Sequence, residues 1–411
     1  MKRFFSTLLA GAFPLMLHAD FQAILVDQNT TKVISKAQIS DANHTVLSDE
    51  NGSFSIKTSQ KSVHIKAYGY RPKEIDTNTT EIFLEPIEVK ALYLTFWGAS
   101  NHSKTHKNIV DTLEKTDLNA IVVDVKNEYG STSFYTGFKQ ANSYGAHKQR
   151  TNRNIQAFMS KMKAKNIYTI ARIVVFKDEL QAANNPEYVI RKNDTNKTIW
   201  RNHDNMAWVD PFDKRSHEYT ISIAEEAAKV GFDEINFDYI RFPAKKGLLL
   251  SKQNTQENRI KAIEDFLDLA QQRLRKYGVF ISVDTYGNIC WSKDDNGIGQ
   301  TVSSLSAHAD YLAPMLYPSG FNNGSFGFKY PSEHPYEVIY RSIKHIKPFI
   351  DSKRVRPWLQ YFRDYAHKRR MYKKFEIQEQ IRAAKDVGAN GFMFWSPSSK
   401  YHTEYFLPTP Q

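Results

Sequence analysis

The sequence contains only one cysteine, Cys290, among its 411 residues. A single cysteine cannot form a disulfide within the chain, so the fold must be stabilised by its hydrophobic core rather than by cross-links. Trp291 follows Cys290, which indicates a packed environment, and we expect no catalytic role for the thiol. With 41% hydrophobic and 24% charged residues, the composition is that of a globular protein that can bury a large core.

Long hydrophobic runs are also missing from the sequence. The one candidate, the mostly apolar residues 4–17, is shorter than the roughly 20 residues that a helix needs to cross a bilayer. Lys2 and Arg3 precede it and Ala19 closes a plausible cleavage site, which together predict a signal peptide over residues 1–19. No cysteine stands at the cleavage point, so we predict a periplasmic or secreted protein without a lipid anchor or stable membrane insertion. The alternative is a buried N-terminal helix.

Motifs for metals, nucleotides and serine hydrolysis are absent as well. His203, His308 and His334 are scattered without the spacing of metal ligands, so no metal site and no cofactor are predicted. No Gly-x-Ser-x-Gly elbow occurs, and no glycine-rich phosphate loop follows the first strand of the larger region described below.

The charge balance is basic, with a formal net charge of +12. Lysines and arginines are spread along the chain, and the densest cluster, "HKRRMYKK", is typical of a solvated loop or helix start. We therefore predict no nucleic-acid partner, and an acidic polymer of the cell envelope is a secondary possibility. The sequence does not predict an oligomeric state.

Residues 20–90 have the pattern of a small all-β sandwich. Short alternating runs such as "FQAILVD", "KAQIS", "GSFSIKT", "SVHIKAYG" and "TEIFLEP" are separated by turn clusters such as "DQNTT" and "SDENG". The first strand, the D-x-x-G-x-F turn in "LSDENGSFSI" and the following "VHIKAYGYRP" resemble the carboxypeptidase-regulatory-like fold. That resemblance implies an accessory domain, and no catalytic constellation occurs in it.

Residues 91–411 alternate strand and helix patterns, as repeated βα units require. Predicted strands cover residues 91–98, 120–126, 168–176, 235–240, 280–287, 309–317, 354–362 and 391–397. Amphipathic runs such as "KNIVDTLEKT", "NIQAFMSKMKAK", "YTISIAEEAAKVG", "IKAIEDFLDLAQQRLRKYG", "YEVIYRSIKHIK" and "IQEQIRAAKDVG" lie between them, several ending in a capping glycine. Eight such units predict a (β/α)₈ TIM barrel. The competitor is an open doubly wound sheet, which the missing phosphate loop disfavours.

Polar side chains occur near the carboxyl ends of these strands, where barrel enzymes carry their chemistry. Aromatic side chains accompany them, and flat aromatic faces provide platforms for sugar rings. For Asp124 and Glu128 catalysis is as plausible as binding, while Trp358 and Trp395 could instead close the top of the barrel. The predicted substrate-binding residues are Asp124, Lys126, Glu128, Arg172, Asp210, Tyr239, Arg241, Tyr317, Trp358, Gln360 and Trp395.

Two carboxylates, Asp238 and Asp284, lie inside otherwise apolar strands. Burying a carboxylate is costly unless it is paired or used. Glycoside cleavage needs two: one protonates the leaving oxygen, and the other attacks the anomeric carbon or activates water. Arg172 or Arg241 beside Asp238 would keep it ionised. The structural alternative is a salt bridge between Asp238 and Arg241 at the barrel rim.

The segments "VVDVKNEYG", "IARIVVFKD", "WVDPFD", "VGFDEINFDYIRFP", "ISVDTYG", "YLAPMLYPS", "RPWLQYF" and "GFMFWSPSSKY" resemble a bacterial family of TIM-barrel glycosyl hydrolases and, distantly, the α-amylase clan. The resemblance implies Asp238 as nucleophile and Asp284 as acid/base. Three features depart from the resemblance: the clan's acid/base is normally glutamate, its arginine lies at the position of Asn236, and an aspartate is expected at the position of Tyr361. Glu128 is therefore a rival acid.

Three functions compete at this point. The first is an exported glycoside hydrolase that cleaves a polysaccharide or oligosaccharide with two carboxylates. The second is a non-catalytic carbohydrate-binding or envelope scaffold protein on an inactive barrel. The third is a deacetylase or other polymer-modifying enzyme, which normally requires a metal.

Overall fold

The computed structural model describes residues 19–407, and the predicted signal peptide lies outside this range except for Ala19. The N-terminal part is a small all-β region with two sheets, ordered β4-β1-β7 and β3-β2-β5-β6, in which only the β1–β7 pairing is parallel. Its strands are β1 (Ala19–Asp27), β2 (Gln38–Ser40), β3 (Thr45–Leu47), β4 (Ser53–Thr58), β5 (Ser62–Lys66), β6 (Lys73–Asp76) and β7 (Glu81–Leu84). Leu25, Ile39, Ile65 and Leu84 are fully buried in its core.

The larger part is a closed eight-stranded parallel barrel, ordered β8-β9-β10-β12-β14-β15-β16-β17, in which β17 pairs with β8. Its strands are β8 (Val89–Leu94), β9 (Ala120–Lys126), β10 (Tyr168–Val174), β12 (Glu234–Asp238), β14 (Phe280–Tyr286), β15 (Tyr311–Met315), β16 (Trp358–Gln360) and β17 (Gly391–Trp395). A separate two-stranded ribbon consists of β11 (Arg191–Lys192) and β13 (Leu248–Leu249). The predicted barrel with an N-terminal all-β region is confirmed.

Helices alternate with the barrel strands and cover the barrel from outside. Asp213 caps the start of α5 by accepting the Arg215 N–H, and Gly231 follows its end with a φ of 98°. Helices α7, α2 and α4 are too short to repeat an apolar face, so sequence periodicity gives little sign of them. The helices are α1 (Lys104–Lys115), α2 (Lys139–Tyr144), α3 (Ile155–Ala164), α4 (Glu179–Asn184), α5 (Lys214–Lys229), α6 (Gln256–Leu274), α7 (Val302–His308), α8 (Pro335–Ile346) and α9 (Lys374–Asp386).

Strand β12 shows how alternation positions polar groups inside the barrel. Ile235 and Phe237 face the helix layer and are fully buried in the main core, where Phe237 packs edge-on against Phe266. Glu234, Asn236 and Asp238 occupy the opposite face, inside the barrel. Glu234 accepts from Tyr168 and Arg356 near the bottom, Asn236 donates to Ser282 and Asp284, and Asp238 binds Arg172 at the top.

The all-β region packs against the N-terminal end of the barrel. The Lys66 ammonium lies 2.8 Å from the Asp310 carboxylate, immediately before β15, and both side chains are buried. Gly69 donates its N–H to the hydroxyl of Tyr311, and Arg71 donates to the carbonyl of Asn166, immediately before β10. This leaves the C-terminal ends of the strands free to form a site. Within residues 19–407, no helix is both long and apolar enough to cross a bilayer.

Candidate active site

A cavity of about 240 Å³ opens at the C-terminal ends of the barrel strands. It contains two carboxylates, two arginines and a wall of aromatic side chains. It lies in the region where polar residues are predicted near the carboxyl ends of the strands. The residues that line it are Arg172, Asp238, Tyr239, Arg241, Asp284, Tyr286, Met315, Tyr317, Trp358 and Trp395.

Asp238, the last residue of β12, forms an ion pair with Arg172 of the neighbouring β10. Arg172 Nε donates to Asp238 Oδ2 at 3.0 Å, and its Nη1 donates to Asp124 Oδ1 at 2.6 Å. Burial opposes the charge of Arg172, but Asp238 and Asp124 outweigh burial and hold the pKa of the guanidinium well above its usual value. The guanidinium also lies 5.1 Å from the ring of Trp395. Asp238 is thus held in a fixed position beside a permanent cation.

The backbone turns sharply immediately after Asp238. Tyr239 has a φ of 50°, a left-handed conformation that costs a side-chain-bearing residue roughly 1–3 kcal/mol. The turn directs the Tyr239 N–H onto Asp238 Oδ1 at 2.6 Å, so both carboxylate oxygens are oriented. Packing against Trp208 and the ammonium of Lys177, 4.8 Å from the ring, stabilises this conformation. Such strain concentrates at functional sites.

Asp284, on β14, is only 3% exposed and has a different environment. Its Oδ1 accepts the Nδ2–H of Asn236 at 2.8 Å and the indole N–H of Trp358 at 2.6 Å. Burial and then the charge of Asp238 raise the pKa of Asp284 well above its usual value, against the two hydrogen bonds and the charge of Arg172. The protonated form is therefore favoured. Because Oδ1 accepts two N–H groups, the proton is expected on Oδ2.

Asp124, on β9, completes the charged cluster below the cavity. Its Oδ2 accepts from the hydroxyl of Tyr93 at 3.2 Å. Burial raises the pKa of Asp124 to about 6, although the Arg172 charge opposes this, and the charge of Glu128 adds to the increase. Glu128 is half-buried and does not line the cavity. It is near enough to act on Asp124 through its charge.

Besides Asp124 and Glu128, three more predicted binding residues lie outside the cavity lining and use their polar atoms internally. Lys126 is fully buried, with its ammonium 2.8 Å from the Asp178 carboxylate. Asp210 accepts the N–H groups of Phe212 and Ser251 and thereby shapes loops outside the cavity. Gln360 donates to the Ser319 hydroxyl and accepts the Ser319 N–H. A polar residue near the end of a strand is therefore not always directed toward the mouth of the barrel.

The structure brings the other predicted side chains together and selects between the two arginines. Arg172 pairs with Asp238, whereas the predicted alternative of a salt bridge from Arg241 to Asp238 is not formed. Trp358 is 1% exposed, and its indole N–H orients Asp284. Sequence reasoning missed the support that Asn236 gives to Asp284. The alternation of residues 234, 236 and 238 along the strand could have revealed it.

In the part of the chain that the structure describes, the remaining nucleophilic and metal-ligating residues form no second centre of this kind. Cys290 is buried, which confirms the predicted packed environment, and burial raises the pKa of its thiol to about 12. Among residues 19–407, no cluster of three or more His, Cys, Asp or Glu side chains is placed to hold a metal ion.

Comparison with known proteins yields one family match and several structural similarities. A family model described as "Putative glycosyl hydrolase domain" matches residues 91–401. The glycoside hydrolase domain of PgaB (BpsB) from Bordetella bronchiseptica is similar with a TM-score of 0.54 and 14% identity, over 76% of this chain and 95% of that one, which shows a shared fold. A hypothetical protein from Ruminiclostridium thermocellum ATCC 27405 is 33% identical, over 47% of this chain and 96% of that one, with a TM-score of 0.41. None of the curated proteins matches the chain.

Proposed function

The chain belongs to the family described as "Putative glycosyl hydrolase domain", and we propose that it hydrolyses glycosidic bonds of a polysaccharide or oligosaccharide with Asp238 and Asp284 as its two catalytic carboxylates. Asp238 is the nucleophile and Asp284 is the acid/base. The other residues that line the cavity bind and orient the sugar.

One observation carries this proposal: two carboxyl groups line a single cavity in opposite electrostatic environments. Asp238 is paired with the guanidinium of Arg172. Asp284 is buried among neutral donors, and its pKa is raised well above its usual value by burial and by the charge of Asp238. Paired carboxyl groups whose environments favour different protonation states are the arrangement that glycoside cleavage uses.

In the proposed reaction the two groups act in turn. Asp284 Oδ2–H protonates the glycosidic oxygen as its bond to the anomeric carbon breaks, and Asp238 attacks that carbon to form an ester. Water, deprotonated by the Asp284 carboxylate, then hydrolyses the ester and restores both groups. Ester formation removes the negative charge of Asp238, which is one cause of the raised pKa of Asp284. Loss of that charge lowers the pKa of Asp284 just when its proton has been transferred. The carboxylate form, which the second step needs in order to take a proton from water, is therefore favoured.

The test is the release of reducing ends from a panel of neutral and acidic polysaccharides by the wild type and by Asp238→Asn. We expect activity to fall by at least about 10³-fold, since removing the nucleophile leaves only binding and acid catalysis. Asp268→Asn, which removes an exposed carboxylate on α6, is the matched control and should retain full activity. Circular dichroism establishes that each variant is folded. Equal activity in Asp238→Asn, or glycan binding without any product from the wild type, would favour a non-catalytic barrel instead.

Two further proposals concern the N-terminal part. We propose that residues 1–19 are a signal peptide and that the mature protein is periplasmic or secreted, on the strength of the basic start, apolar stretch and Ala19. We also propose that residues 20–90 form an accessory domain of the carboxypeptidase-regulatory-like type. Its position at the barrel end opposite the cavity supports a stabilising role rather than substrate contact. Edman sequencing of exported protein, starting at Asp20, tests the cleavage site.

A further inference from the structure

A second cavity, of about 470 Å³, adjoins the active-site cavity. Arg241 and Tyr286 line both cavities and therefore form the boundary between them. Its volume falls within the roughly 300–1,000 Å³ that is usual for small-ligand sites. The other lining residues are Ala244, Asn288, Trp291, Ser292, Asn296 and Ile298.

The cavity wall is built by a tight turn after β14. This turn, Gly287–Trp291, begins at a glycine. A Cβ atom at Gly287 would lie 2.3 Å from the carbonyl oxygen of Met315, so the close approach of the backbone excludes any larger residue. Trp291 is fixed in place because its indole N–H donates to the Ser342 hydroxyl at 2.9 Å and its ring stacks on His345. It is still 39% exposed. The wall therefore presents an oriented aromatic surface of the kind that sugar rings stack on.

Arg241 is the unusual member of this boundary, because it is a half-buried cation without a counter-ion. Its guanidinium lies over the rings of Trp208 and Tyr239, at 5.1 and 5.2 Å, and one N–H donates to the carbonyl of Phe242. Across residues 19–407, no carboxylate forms a salt bridge with it. Burial lowers the pKa of Arg241, and the charge of Asp238 offsets only part of this.

A guanidinium has five N–H donors in a planar fork, and that of Arg241 uses only one on the protein. Holding a partly desolvated cation without a partner is unfavourable, whereas an incoming anion would satisfy both its charge and its donors. Of the described residues, Arg241 is the one charged residue that lines the second cavity, and the asparagine, serine and tyrosine side chains there can bond to hydroxyl groups. The site is therefore complementary to a polyhydroxylated ligand with one negative charge.

We propose that the second cavity is a distal sugar subsite in which Arg241 binds the carboxylate of an acidic sugar unit, so that the substrate is an acidic polysaccharide. This inference rests on the proposed hydrolase function and specifies its substrate class. A carboxylate matches the guanidinium fork with two parallel hydrogen bonds.

The test is isothermal titration of oligosaccharides into the full chain carrying Asp284→Asn, which slows turnover and resembles the protonated form of Asp284 that its raised pKa favours. The probes are oligogalacturonate, its carboxyl-reduced neutral counterpart and a sulfated oligosaccharide of equal length. Arg241→Gln removes the charge, Arg241→Lys keeps the charge without the fork, and Lys245→Gln removes an exposed charge nearby as the control. Thermal melting establishes that each variant folds, and Arg241→Lys carries the test if Arg241→Gln does not fold.

We expect oligogalacturonate to bind at least about 10-fold more tightly than its neutral counterpart, because only the carboxylate can form charge-assisted hydrogen bonds with the guanidinium fork. Arg241→Gln should abolish that preference, Arg241→Lys should reduce it, and Lys245→Gln should leave it in place. Equal binding of the acidic and neutral probes, a preference that survives in Arg241→Gln, or binding of the sulfated probe alone would overturn the proposal. If the acidic preference holds but no variant or wild type releases product, only the hydrolase function fails. If neutral polymers are cleaved without an acidic preference, only the subsite proposal fails.

Discussion

At the scale of single residues, the site depends on two aspartates that differ only in their neighbours. Asp238 has the guanidinium of Arg172, whereas Asp284 has the neutral N–H donors of Asn236 and Trp358. The two carboxyl groups are close enough that the charge of Asp238 raises the pKa of Asp284. The acid and nucleophile roles are therefore set by what surrounds each side chain rather than by its chemical type.

This difference predicts that Asp284→Asn increases the thermal stability of the protein while reducing its catalytic activity. The pKa of Asp284 is raised in the folded state, so its contribution to stability is present below its unfolded pKa and is lost as the pH rises through its folded pKa. An asparagine is neutral at every pH. We therefore expect a higher melting temperature than wild type at pH 8 and no gain at pH 3.5, measured by differential scanning fluorimetry, with Asp268→Asn as the control. A destabilised Asp284→Asn at pH 8 would show that the carboxylate is ionised and structural.

At the scale of elements, the ends of the strands decide which predictions succeed. The eight barrel strands are recognisable because their apolar runs are bounded by turns, yet residues 168–176 were predicted longer than β10 because Val175 and Phe176 are buried beyond its end. Burial patterns cannot separate a strand from a buried loop that follows it. The sequence also leaves the ion-pair partner of Asp238 undetermined. Arg241 is nearer to Asp238 in sequence, but Arg172 contacts it because its strand lies beside β12. The pairing of β10 with β12 belongs to the tertiary structure and cannot be deduced from either strand alone.

Strand β16 supplies a second prediction, because Trp358 on it orients Asp284 on β14. Trp358→Phe keeps an aromatic side chain, although a smaller one, and removes the N–H donor, whose hydrogen bond lowers the pKa of Asp284. The basic limb of the profile of kcat/KM against pH should move to higher pH, and kcat should fall by up to about tenfold, the equivalent of one hydrogen bond. Trp395→Phe is the matched control, which should alter KM without moving the limb. An unmoved limb in Trp358→Phe would exclude this orienting role.

At the scale of the whole molecule, the two ends of the barrel have different tasks. The C-terminal end contains both cavities and the catalytic aspartates, while the N-terminal end is covered by the all-β region. Lys66 and Asp310 form a buried ion pair across that junction. The sequence predicts both parts from their strand patterns. It does not predict their contact, because Lys66 and Asp310 are remote in the chain and neither lies in a recognisable motif.

This arrangement predicts that Lys66→Met weakens the molecule without affecting catalysis. Removing the cation leaves Asp310 buried beside the backbone with no charge partner, which should reduce the free energy of unfolding by roughly 3–5 kcal/mol. Lys57→Met removes an exposed lysine of the same region and should cost little. Urea denaturation measures stability, and kcat/KM should be unchanged in both variants at a temperature where they remain folded. A Lys66→Met protein as stable as Lys57→Met would show that the junction is not held by this pair.

The measurement that most directly tests the central claim compares Asp238→Asn and Asp284→Asn on two kinds of substrate. An oligosaccharide needs a proton on its leaving oxygen, whereas a 2,4-dinitrophenyl glycoside of the same sugar has a leaving group that needs none. Asp284→Asn should lose roughly 10²–10⁴-fold of kcat/KM on the oligosaccharide and keep most of its activity in cleaving the dinitrophenyl bond, while Asp238→Asn should lose activity on both. Equal losses on both substrates in Asp284→Asn, or a dinitrophenyl glycoside still cleaved by Asp238→Asn, would contradict the assignment of acid and nucleophile.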